Sequence, residues 1–85
     1  MNYVLQLLNS KNEKVVSLGI LIEQITKAIE EKTITQSECD ELLADTSTMQ
    51  KLIEDSISLD LRISINRALG KLYDVVLMGK NLLPL

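Results

Sequence analysis

From Ile57 to Val76, apolar residues fall at steps of four, four, three, four and four: Ile57, Leu61, Ile65, Ala68, Leu72 and Val76. That spacing draws one continuous stripe along an α-helix. The front of the same region carries a conflicting signal. Ser56-Ile57-Ser58-Leu59-Asp60-Leu61-Arg62-Ile63-Ser64-Ile65-Asn66 alternates polar and apolar at every position, the pattern of a half-buried β-strand. A strand here has no partner, because no second alternating run exists in the chain, and an unpaired apolar edge invites aggregation. Intermolecular β-pairing is the alternative. The helical period continues past Asn66 whereas the alternation stops, so the stretch is expected to open a long C-terminal helix.

Placing an alternating segment on a helix has a cost. At 100° per residue, Leu59 and Ile63 leave the main stripe for the side that carries Gly70 and Leu77, with Tyr73 nearby. A polar ridge of Asp60, Ser64, Arg67, Lys71 and Asp74 remains. A helix apolar on two faces must be covered on both. The helix expected over 12–32 supplies one cover. Eighty-five residues leave little for the other, and a core from so short a chain gives about 3–5 kcal/mol. A second copy or a different protein is therefore expected on Leu59, Ile63, Tyr73 and Leu77. Gly70 on this face would permit close approach, at a cost of about 1 kcal/mol in helix propensity.

The remaining elements are also helical. Tyr3 to Leu8 makes a short opening helix with Asn2 as its cap. Ser10-Lys11-Asn12-Glu13 has the S-x-x-E form of a capping box. Beyond it Val15, Leu18, Ile22, Ile25 and Ile29 form a strong stripe, widened by Leu21 and Ala28 and ending near Lys32. Thr35 and Glu38 spell a second box, with Ile34 and Cys39 placed as a hydrophobic staple. Asp45-Thr46-Ser47-Thr48 gathers weak helix formers, and Ser47 with Gln50 has the spacing of a new cap. A break or a kink is expected there, with the break preferred. The tail from Gly79 begins with a suitable terminating glycine and closes on Pro84. Its Leu82, Leu83 and Leu85 either fold back on the core or dock in a neighbour, which adds them to the candidate contact residues. The expected fold is all-α, a small bundle of three to four helices with a long C-terminal helix, in one domain over residues 1–85.

The residues offer little chemistry. There is no His and a single cysteine, Cys39, so thiolate or imidazole metal sites and the common nucleophile–base pairs are missing. Glu30/Glu31 and Glu54/Asp55 are sequence neighbours that diverge on a helix, and no glycine-rich phosphate loop is present. No enzyme, no cofactor and no metal are expected. The net charge of −3 argues against non-specific nucleic-acid binding. Residues 35–60 carry −6 and residues 61–85 carry +3. The two segments are expected to lie together or to meet across a symmetric interface. Arg62, Arg67 and Lys71 are the alternative candidates for an anion site. The longest uncharged apolar run, Val15 to Ile22, is too short for a membrane span, and no basic-then-apolar leader opens the chain. A cytoplasmic protein without membrane insertion is expected.

Two resemblances bear on function. Leu7-Leu8-Asn9-Ser10-Lys11-Asn12-Glu13-Lys14-Val15-Val16-Ser17-Leu18-Gly19 resembles the opening of small tailed-phage proteins, in particular the lysis-inhibition accessory proteins of T-even phages. Those are cytoplasmic helical proteins that help restrain a holin, so the resemblance implies a regulator whose partner is a holin cytoplasmic domain. The pattern Arg67-Ala68-x-x-x-Leu72-x-x-x-Val76-Leu77-Met78 is loosely similar to the helical hairpins of phage anti-defence sponges, with Gly79 where those have an aromatic. It implies an oligomer that sequesters a cyclic nucleotide, with Arg62, Arg67, Lys71 and Tyr73 as contact residues. A structural assembly component is the third class left open.

Overall fold

The computed structural model describes residues 2–85, which form four α-helices and no strand. They are α1 (Tyr3–Leu8), α2 (Glu13–Glu31), α3 (Gln36–Ile53) and α4 (Leu59–Gly79), with short 3-10 turns at Glu54–Ser56 and Lys80–Leu82. The fold is an all-α bundle with a long C-terminal helix.

Local side chains set most helix starts. Asn2 Oδ1 accepts from the Leu5 amide at 3.1 Å. The box at Thr35 closes in both directions: Glu38 N–H donates to Thr35 Oγ1 at 3.1 Å, and Thr35 N–H donates to Glu38 Oε1 at 2.9 Å. The box expected at Ser10 does not form. Asn12 caps α2 instead, accepting from the Lys14 and Val15 amides. Ser10 Oγ takes the Asn12 N–H at 3.1 Å, one step before the helix. Asn is as strong a cap as Ser and stands nearer the apolar stripe.

The break expected at 45–48 is not there either. α3 runs through it, with the threonine hydroxyls satisfied on their own helix. Thr46 Oγ1 donates to the Leu43 carbonyl at 2.7 Å and Thr48 Oγ1 to the Ala44 carbonyl at 3.1 Å. Thr46 is fully buried. The chain breaks later, at 54–58. Ser56 Oγ donates to the Ile53 carbonyl, and Ser58 Oγ caps α4 by accepting from the Leu61 amide. The alternating stretch is thus helical only from Leu59, and Ile57 packs against the core from the connection.

α2 lies at the centre and packs against α1, α3 and α4. Its stripe of Val15, Leu18, Ile22, Ile25 and Ile29 is buried with Ile65, Ala68, Leu69 and Leu72 of α4. Leu7, Cys39, Ile53 and Leu83 complete this core. Of the tail leucines, Leu83 folds back and is buried in the chain, which removes it from the exposed contact residues, whereas Leu82 and Leu85 stay exposed. The Gln36 amide, which α3 itself leaves unpaired, donates to the Pro84 carbonyl at 2.9 Å. Gln36 Nε2 donates to the Leu83 carbonyl, and Lys80 Nζ meets Asp40 Oδ1 at 2.6 Å. Gly79 does not end α4 in a left-handed cap; its φ is −121° and the chain runs on into the 3-10 turn. Glycine is needed there for space, since a Cβ would stand 2.8 Å from Ile29 Cγ2.

The shortest dimension of the domain is 17 Å, less than two helix diameters of about 10–12 Å each. No third layer fits, and the outer side of α4 is left to solvent.

Candidate protein-interaction surface

That outer side is apolar. Leu59, Ile63, Tyr73 and Leu77 are 68%, 43%, 44% and 82% exposed. They project on the face of α4 opposite Ala68 and Leu72, because residues four, fourteen and eighteen apart return to nearly the same side of a helix. Leu82 and Leu85 are exposed at the same end of the chain, and Met78 joins them, a residue the stripe pattern did not single out. Its place beside Leu77 at the open end of α4 was the available signal. Leu5, Ile20 and Leu52 are exposed on other helices.

The three candidate cations do not converge. Arg67 and Lys71 each lie 5.6 Å from the centre of the Tyr3 ring, clasping α1 against α4 through cation–π contacts. Arg62 projects from another side of the helix, into a surface hollow with Gln50, Glu54 and Asn66. Tyr73 is therefore not the aromatic that the pair meets. The acidic middle and the basic C-terminal segment do touch within the chain, at Lys80 and Asp40. That ion pair holds the Lys80 ammonium above its usual pKa range, chiefly through its hydrogen bond to Asp40.

Cys39 is buried at the start of α3. Desolvation first, and the Asp40 charge second, push its thiol pKa up, with Lys80 offsetting part of the shift. A protonated buried thiol is a packing group, not a nucleophile. Among the described residues no group of three His, Cys, Asp or Glu stands close enough to hold a metal ion. None of their helices is long and apolar enough to cross a membrane. An open hollow of about 380 Å³ lies between α1, α2 and α4, floored by Val4, Ile22, Leu72 and Val75. Its rim mixes Glu23 and Glu30 with Lys27 and Lys71, which selects neither ligand charge.

Comparison with protein-family models, curated proteins and solved structures finds no match for this chain.

Proposed function

We propose that this chain is a non-enzymatic helical regulator that acts by protein–protein binding, self-association included, through the outer face of α4. The observation that carries this is the exposed row Leu59, Ile63, Tyr73 and Leu77 on a single helix whose opposite face packs on the core. Exposed large apolar side chains aligned on one helix face, rather than scattered singly over the surface, favour an interaction site. The resemblance of residues 7–19 to phage lysis-inhibition accessory proteins supports the same class, with a holin cytoplasmic domain as the partner it implies and the cytoplasm as the place. A nucleotide-sequestering role has weaker support, because Arg62 stands apart from Arg67 and Lys71, which already engage Tyr3.

The test is native mass spectrometry of the chain purified from its own host beside its Ile63→Lys variant, with helix content checked by circular dichroism. A polypeptide bound to the parent and lost from the variant is expected. The same bound species on both, or on neither, would overturn the assignment of the α4 face.

A further inference from the structure

Resting on that reading, we propose that α4 pairs with α4 of a second copy of this chain, antiparallel, about a twofold axis passing between Asn66 and Gly70. The exposed face is more regular than an apolar patch. Leu59, Ile63, Asn66, Gly70, Tyr73 and Leu77 are spaced four, three, four, three and four, and all six are exposed. That is the 3.5-residue period of a coiled-coil seam. It runs for about 27 Å at the rise of an α-helix.

Gly70 is the second observation. It has no positive φ, and a Cβ built on it would meet nothing within 4 Å. Neither backbone conformation nor packing within the chain calls for glycine there, although only proline is a worse helix former. A neighbour from outside the chain gives it a role, by occupying the space next to it.

The order of sizes along the seam sets the direction. It reads large, large, small, small, large, large, and so reads the same when reversed. Antiparallel pairing sets Leu59 against Leu77 of the second copy, Ile63 against Tyr73, and Asn66 against Gly70. Each small residue then faces the other kind, and the layers fill evenly. Parallel pairing would stack Gly70 on Gly70 and Tyr73 on Tyr73, leaving a void beside a crowded layer. Asn66 meets part of its hydrogen-bonding need within the chain, where its Oδ1 accepts from Gln50 Nε2 at 2.8 Å. A twofold contact of this kind is self-complementary and closes at two copies. A contact of this length buries on the order of 1,000 Å² in total, the low end for a specific interface, where weak and reversible pairs are found.

Disulfide trapping tests the geometry. In a Cys39→Ala background, a Leu59→Cys protein is mixed with a Leu77→Cys protein and mildly oxidised. Both positions are exposed, so folding is retained and is checked by circular dichroism. Mixed disulfides between the two variants are expected in at least tenfold excess over pairs of either variant with itself. Self-paired products in excess would overturn the antiparallel arrangement. Sedimentation equilibrium of the unaltered chain supplies the second measurement, and a monomer at several hundred micromolar would also overturn the pair. If that monomer still loses another bound polypeptide on Ile63→Lys, the interaction face stands and only the self-pairing fails. If the chain dimerises but ignores Ile63→Lys, both are overturned.

Discussion

Gly70→Lys separates the fold of one chain from the contact between two. The added side chain starts in open space, since nothing lies within 4 Å of its Cβ position. Arg67 precedes it by three residues and Asp74 follows it by four, so neighbouring charges nearly cancel. What remains is helix propensity, which favours Lys over Gly by roughly 0.7 kcal/mol. The monomer should therefore melt about 3–5 °C higher. Association should move the other way. At the centre of the seam the ammonium would be buried without a partner, costing about 3 kcal/mol or more. That is roughly a hundredfold in the dissociation constant. Thermal melts by circular dichroism at low micromolar concentration read the first effect, and sedimentation equilibrium reads the second. A lower melting temperature would refute the claim that Gly70 is unneeded within the chain. An undiminished dimer would refute its place in the interface.

Other substitutions probe the fold beneath that face. Gly79→Ala should destabilise by about 1–3 kcal/mol in a urea titration, because its Cβ presses on the stiff, buried Ile29, and Ile29→Ala should relieve the clash while adding its own cavity cost. Thr35→Ala should lose about 1 kcal/mol, as it removes the acceptor for the Glu38 amide. Raised folded-state pKa values on Cys39 and Lys80 give stability that is intact at neutral pH and lost as pH rises, for Cys39 above its unfolded value of 9.0 and for Lys80 above 10.5. Thermal melts between pH 8 and 11 should show that alkaline loss, and Lys80→Gln should flatten its upper part. The Cys39 thiol should resist Ellman's reagent at neutral pH in the native chain and react on unfolding; immediate reaction would contradict its burial.

Much of this was legible in the sequence because it depends on helical geometry alone. The buried stripe of α2 and the two faces of α4 follow from counting steps of three and four, and the Thr35–Glu38 box is a contact across one turn. What failed needed competition or distance. Ser10 and Asn12 were rival caps, and spacing alone favoured the wrong one. Thr46 and Thr48 are weak helix formers by type, yet their hydroxyls find carbonyls on the preceding turn. Leu83 is held from Gln36, forty-seven residues away along the chain, which no local pattern reveals. The basic residues were legible as charges but not as a site, since Tyr3 reaches Arg67 and Lys71 only after α1 folds onto α4.

The most direct measurement is sedimentation equilibrium of the chain and its Ile63→Lys variant, run side by side from micromolar to several hundred micromolar. Ile63 lies on the exposed face of α4, away from the core, so both proteins should keep the same helix content. A reversible monomer–dimer equilibrium in the parent, with the variant monomeric throughout, is the expected result. Two monomers, or two equally stable dimers, would contradict the claim that the outer face of α4 is where this protein meets its own kind.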